Sequence, residues 1–125
     1  MNEIALEPNK TFGLVGHAAA EKLLHNSWQS GRMPHSWLIS GERGVGKATL
    51  AYKFARAVLA ADKHPQDHSH DPSVNLEIEE DHPVFRQIAA GSHPDLCVIK
   101  REIDEKTGKT RNRIIVEDAR KLKTF

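Results

Sequence analysis

The sequence predicts an α/β fold, a parallel sheet with flanking helices, and three neighbouring observations predict it. A short apolar run, Trp37-Leu38-Ile39, lies between the breakers Pro34 and Gly41. A glycine-rich loop, Gly41-Glu42-Arg43-Gly44-Val45-Gly46-Lys47, follows it directly. The segment KATLAYKFARAVLAAD, residues 47–62, then repeats apolar positions every three or four residues, the spacing of one helix face. With 125 residues, 38% of them hydrophobic and 28% charged, the chain suits one domain with a modest core and not two ordinary ones.

Taken in order, residues 1–12 lack periodicity and read as an extended arm. Residues 13–32 read as a helix after a glycine-marked turn, because Ala20, Leu23, Leu24 and Trp28 fall at helical spacing and Gly31 stands just past the last of them. Trp37-Leu38-Ile39 reads as a strand buried on both faces. The helix from Lys47 carries Leu50, Ala51, Phe54, Ala55, Val58 and Leu59 as its apolar stripe. Residues 63–81 are rich in Pro, Asp and His and read as a long exposed acidic loop. Pro83 then opens a short helix that Gly91 closes. Leu96 to Arg101 reads as a strand, Gly108 as the centre of a turn, and Ile114-Ile115-Val116 as the returning strand of a hairpin. A charged helix is expected from Glu117. Trp28 and Trp37 fall on faces expected to pack inward, and Cys97 reads as a small buried residue.

Charge and cysteine content exclude several classes. The net charge of +1 hides an acidic island: residues 62–82 hold one Lys or Arg against seven Asp or Glu, whereas residues 1–61 hold seven against four and residues 83–125 hold ten against six. So mild and mixed a basic surplus does not announce nucleic-acid binding. A solvated hairpin is the plainer reading of Lys100, Arg101, Lys106, Lys109, Arg111 and Arg113, with a DNA-facing or partner-facing surface as the alternative. No apolar run approaches the roughly 18 residues that a membrane helix needs. The opening MNEIALEPNK has no apolar core of a secretory signal. One cysteine excludes an internal disulfide. These readings together predict a cytoplasmic protein without membrane contact.

The chemistry lies in GxxxxGK, residues 41–47. A polyphosphate needs several backbone N–H groups aimed at one place, and glycines at 41, 44 and 46 allow positive φ and close backbone approach. The helix beginning at Lys47 adds unpaired amides and a positive dipole end, and the Lys47 ammonium reaches the outer phosphates. The expected nucleotide-binding residues are therefore Gly41, Glu42, Arg43, Gly44, Val45, Gly46, Lys47, Ala48 and Thr49. The motif departs from its pattern at Ala48, where a Ser or Thr hydroxyl would ligate Mg²⁺. Thr49 is a poor replacement, since a helix turns about 100° per residue. ATP or ADP is thus expected as ligand, with or without Mg²⁺, and binding is expected to survive better than hydrolysis. The candidate acids for holding a metal are Glu117 and Asp118, after the apolar run 114–116; a plain helix start is the alternative.

Leu14-Val15-Gly16-His17, Leu23-Leu24, the run GRMPHSWLISG at 31–41, GVGKATLAYKFARAVLA at 44–60, His93-Pro94-Asp95-Leu96, and Ile115-Val116 followed by Ala119, Arg120 and Leu122 carry a further resemblance. Together they resemble the N-terminal ATPase-like domain of bacterial DNA polymerase III delta prime subunits, in the clamp-loader branch of the AAA+ proteins. The resemblance covers nearly the whole chain from about Phe12. It implies a P-loop fold of AAA+ type with a helix and β-hairpin insertion, of which residues 1–125 would be an incomplete, N-terminal part. It also implies that Leu14 to His17, with Val15 and Gly16 among the nucleotide contacts, lie near the adenine. Such a subunit is a rigid, non-motor part of a hetero-oligomeric clamp loader. Primed DNA and the sliding clamp are then indirect partners, and hydrolysis falls chiefly to neighbouring subunits. Two departures stand out. Glu42 occupies a position where such loops commonly have Pro, and the interval that carries a four-cysteine zinc module in many relatives holds no cysteine here. His64, His68, His70 and His82 share that interval, but Pro65, Asp67 and Asp71 argue against a helix that would gather them, so no structural zinc is expected. The rival reading is a self-contained small P-loop phosphotransferase using Glu117 or Asp118 as its metal-holding acid.

Overall fold

The computed structural model describes residues 7–14, 16–63, 76–101, 106–109 and 120. They belong to two units, Met1–His93 and Pro94–Phe125. The first unit is built from a 3₁₀ turn at Pro8–Lys10 and three helices, α1 at Ala18–Gln29, α2 at Lys47–Lys63 and α3 at Pro83–Ala89.

Each helix begins and ends where the local chemistry requires. The α1 ladder opens with the Glu21 amide donating to the His17 carbonyl at 3.0 Å, and ends in a turn at Gly31, whose φ of +70° suits a residue without a side chain. Pro83 occupies the first turn of α3, where its missing N–H costs nothing, and the Val84 amide donates to Nδ1 of the capping His82 at 3.1 Å. Gly91, at φ +72°, closes that helix.

Leu24 of α1, Leu50 and Ala57 of α2, and Leu76 form the core cluster, against which Leu14, Ala20, Trp28, Trp37, Ile39 and Phe54 pack. Trp28 and Trp37 therefore pack inward as their positions imply. The helix α2 is central because its inner face touches every other element of this unit. That face also buries two cations. Lys53, 7% exposed, pairs with Glu21 of α1 and lies 3.6 Å from Glu77. Arg56, 2% exposed, donates through Nη2 to the Thr11 carbonyl at 3.2 Å, and its guanidinium stands 4.7 Å from the centre of the Phe85 ring. Phe12 meets the same ring edge-on, centroids 5.8 Å apart. Burial lowers the Arg56 pKa from its ordinary value, since a low-dielectric surrounding disfavours the charged form. The Asn9 amide adds a hydrogen bond to the Ala89 carbonyl at 3.2 Å, fastening the 3₁₀ turn to the end of α3.

The helices stand where the sequence pattern puts them, but Leu23 and Ala51, expected on their apolar stripes, are exposed, and the sheet does not appear among the described residues. Residues 37–39 form no strand, and Leu38 is 93% exposed while Trp37 and Ile39 are half-buried. The run thus has one inward face rather than two. A strand exists only through a partner's backbone, and no described residue supplies a ladder to it. Residues 76–81 also differ from the exposed loop expected across 63–81: Leu76 and Ile78 are buried and alternate with exposed Glu77 and Glu79. Their apolar side chains close the core beside α2. The rest of the acidic stretch, residues 64–75, lies outside the described residues.

In the second unit, residues 96–101 form no strand. Cys97 is half-buried rather than buried, and Val98 is exposed. The turn expected at Gly108 is present, with φ +68° at that glycine and the Lys109 amide donating to Thr107 Oγ1 at 3.4 Å. The returning strand at 114–116 and, apart from exposed Arg120, the helix expected from Glu117 lie outside the described residues.

Replacing Arg56 with alanine removes the Thr11 hydrogen bond, the contact with the Phe85 ring and the packing of the aliphatic stem. Urea denaturation is expected to show a loss of about 2–4 kcal/mol. Methionine, which keeps an unbranched stem without the charge, is expected to recover at least half of that loss.

Candidate functional site

The glycine-rich segment forms a turn at residues 43–44 that runs directly into α2. Gly44 and Gly46 adopt φ of +83° and +97°, so the backbone reverses where side chains would be strained. Gly41 does not share that conformation, contrary to the sequence expectation. The space there is moderately tight: a Cβ would lie 3.3 Å from Val45 Cγ2 and 3.6 Å from Lys47 Cδ. The loop folds back over its own first residue, and the Lys47 ammonium donates to the Gly41 carbonyl at 2.5 Å.

The first intrahelical bond of α2 runs from the Leu50 amide to the Gly46 carbonyl at 2.9 Å. The amides of Lys47, Ala48 and Thr49 therefore precede the ladder and have no intrahelical acceptor. Three such donors, the positive end of the helix dipole and a lysine on one short arc are groups with which an anion can pair. Glu42, Arg43, Gly44, Val45 and Ala48 are exposed, and Gly46, Lys47 and Thr49 are half-buried. Glu42 and Arg43 form no ion pair with each other. Ala48 presents only a methyl group at the position where a metal-ligating hydroxyl would stand.

The segment before α1 packs on the same loop. Leu14 Cδ1 lies 3.0 Å from where a Cβ on Gly46 would sit, and His17 Nε2 lies 3.7 Å from it. The His17 ring also hydrogen-bonds the Val45 carbonyl. Gly16, exposed and at φ +86°, makes the turn between Leu14 and His17. Val15 lies outside the described residues. On its other side Leu14 lines an open pocket of about 160 Å³ together with Phe12, Lys53, Arg56, Leu76 and Ile78.

Other residues were expected to carry chemistry. Glu117 and Asp118, the candidate metal-holding acids, lie outside the described residues, as do His64, His68 and His70. His82 caps α3. Among the described residues no cluster of three or more His, Cys, Asp or Glu side chains could hold a metal ion, and no helix is long and apolar enough to cross a membrane. Two features escaped the sequence reading. Lys53 and Arg56 fall three residues from Leu50 and four before Ala60, on the buried stripe itself, which was a legible signal. The bond from His17 to Val45 spans 28 residues and left none.

The family described as DNA polymerase III, delta subunit, matches residues 16–125. Among curated proteins, the chain is 38% identical over 51 residues to DNA polymerase III subunit gamma of Buchnera aphidicola subsp. Schizaphis graminum, covering 41% of this chain and 14% of that protein. It is 33% identical over 51 residues to DNA polymerase III subunit gamma/tau of Mycoplasma pneumoniae, covering 41% and 8%. Over 66 residues it is 30% identical to subunit gamma of Buchnera aphidicola subsp. Acyrthosiphon pisum, covering 53% and 18%. The matched region spans less than a fifth of each of these relatives. No solved structure matches the chain significantly.

Gly46→Ala forces a side chain into positive φ and against Leu14, and is expected to cost about 1–3 kcal/mol in thermal or urea denaturation. In a Leu14→Ala background the same substitution is expected to cost less, because only the backbone part remains. Equal costs in both backgrounds would show that Leu14 does not press on the loop.

Proposed function

The chain belongs to the family described as DNA polymerase III, delta subunit, and from that premise we propose that it is the N-terminal, nucleotide-binding part of a delta prime clamp-loader subunit. The observation that carries this reading is the loop at 41–49. Two glycines at positive φ, three amides ahead of the α2 ladder and the Lys47 ammonium all serve one polyphosphate. The ligand is ATP or ADP. Gly41, Glu42, Arg43, Gly44, Val45, Gly46, Lys47, Ala48 and Thr49 form its phosphate side. Leu14, packed against Gly46, supports placing the segment through Val15 and Gly16 beside the base.

The residues present fit a polyphosphate and do not fit the metal that usually accompanies it. Ala48 offers no hydroxyl, and Thr49 is half-buried one position further round the helix. Backbone amides and Lys47 orient the phosphates, and no protein group at the start of α2 positions a metal for cleavage. This supports a subunit that holds nucleotide as a structural element rather than as the motor. Under this reading its partners are the other clamp-loader subunits, with the sliding clamp and primed DNA engaged through the assembly, in the cytoplasm. The sheet of a P-loop domain would be completed around Trp37 and Ile39, whose inward packing leaves Leu38 available to a neighbouring layer.

Titration with a fluorescent ADP analogue tests the reading. Lys47→Ala is expected to weaken binding at least tenfold, consistent with loss of a charge-assisted phosphate contact. Ala48→Thr is expected to make ATP affinity depend several-fold more strongly on Mg²⁺. No measurable binding by the unsubstituted chain, or rapid hydrolysis by it alone, would overturn the proposal.

A further inference from the structure

We propose that His17 is the positioning residue of the phosphate loop, holding the peptide between Val45 and Gly46 in the orientation that a bound polyphosphate requires. The inference deepens the nucleotide-binding reading of residues 41–49 and rests on it for the identity of the ligand, but the contact itself exists without one. His17 stands at the start of α1, where polar side chains commonly turn back to accept from the first helical amides. Its side chain makes no such bond. The His17 carbonyl starts the helix by accepting from the Glu21 amide, while the ring crosses to the Val45 carbonyl.

The target of that bond is informative. Val45 lies between the two loop glycines at positive φ, Gly44 and Gly46. Glycine on its C-terminal side gives the peptide between Val45 and Gly46 more than one sterically open orientation. A peptide unit is planar and trans, so its C=O and the following N–H point in opposite directions. Turning the Val45 carbonyl toward His17 turns the Gly46 N–H away from it. That amide then joins the free donors of Lys47, Ala48 and Thr49. A single side chain thereby decides whether a donor or an acceptor faces the anion. Leu14 works beside it, since both side chains border the space where a Gly46 Cβ would be.

Because the acceptor is a carbonyl, Nε2 of His17 carries the hydrogen. Glutamine places an amide N–H at a similar reach and preserves the bond. Glutamate has nearly the same shape, cannot donate, and sets a carboxylate against the carbonyl. These two variants separate positioning from a simple role at the α1 N-terminus, where an acid is the more favourable residue.

The test uses the chain with His17→Ala, His17→Gln and His17→Glu, each titrated with the fluorescent ADP analogue. The orientation of the Val45–Gly46 peptide is followed by NMR in the ligand-free state, through the nuclear Overhauser effect between Val45 Hα and the Gly46 amide hydrogen. Expected are about fivefold weaker binding for alanine, still weaker binding for glutamate, and affinity close to the original for glutamine. The Overhauser effect is expected to change in the alanine and glutamate variants and to return in glutamine. Wild-type affinity and an unchanged peptide orientation in alanine and glutamate would overturn the proposal, as would a loss in alanine that glutamine does not restore. If the unsubstituted chain binds no nucleotide, the ligand assignment fails. The peptide orientation then decides alone whether His17 holds the loop.

Discussion

The buried guanidinium of Arg56 is the interaction on which the placement of the loop depends. It joins three segments that the sequence separates widely: α2, which carries it; the chain at Thr11, whose carbonyl it binds; and α3, whose Phe85 ring it faces. Fixing Thr11 fixes the direction of the residues that follow, and three positions later Leu14 reaches Gly46. The glycine-rich loop therefore receives its outer wall from a contact two and a half turns further along the same helix. Removing the cation releases that wall without touching the loop.

Lys53 performs the parallel task for α1. Its partner Glu21 is held at two points: the Glu21 amide donates to the His17 carbonyl, and its carboxylate pairs with Lys53. The start of α1, and with it the His17 ring, is thereby tied to the inner face of α2. Buried charges are an expensive way to hold helices together, because desolvation offsets much of the Coulomb gain. Their advantage over leucine is direction. An apolar contact tolerates a slide along the helix, whereas a cation between defined oxygens does not. In this unit both cations fix segments whose position matters to the loop.

This division also explains what was legible in the sequence. The three helices follow from period and punctuation: Leu24 and Trp28, then Leu50 and Phe54, then Pro83 and Gly91 mark where they run, although the buried face of α2 turns from exposed Ala51 toward Lys53, Arg56 and Ala57. The loop was legible for the same reason, since Gly44 and Gly46 each mark a backbone conformation that only glycine takes easily. What depends on a distant partner was not. Trp37-Leu38-Ile39 has the composition of a strand, but a ladder belongs to two segments and composition reports only one. Leu76 and Ile78 sit in an acidic stretch whose average polarity hides two buried positions. Gly41 illustrates a finer limit, because it stands in the same motif as Gly44 and Gly46 and yet does not take their positive φ. The carbonyl of Val45, which takes part in the site through its backbone, carries no side-chain signature at all.

The substitution at Ala48 is best understood against that backbone character. Under the proposed reading, every group that grips a polyphosphate is either a main-chain amide or Lys47. The amide of residue 48 is present whatever side chain the residue carries. Losing a hydroxyl there removes a metal ligand and leaves the cradle unchanged, whereas a change at Gly44, Gly46 or His17 disturbs the cradle itself. Holding a nucleotide and cleaving it thus rest on separable parts of one short segment. A subunit relieved of cleavage can drop the second part at little cost to the first. Under the same reading, the contacts around the loop, from Arg56 through Leu14 to His17, all act on the part that remains.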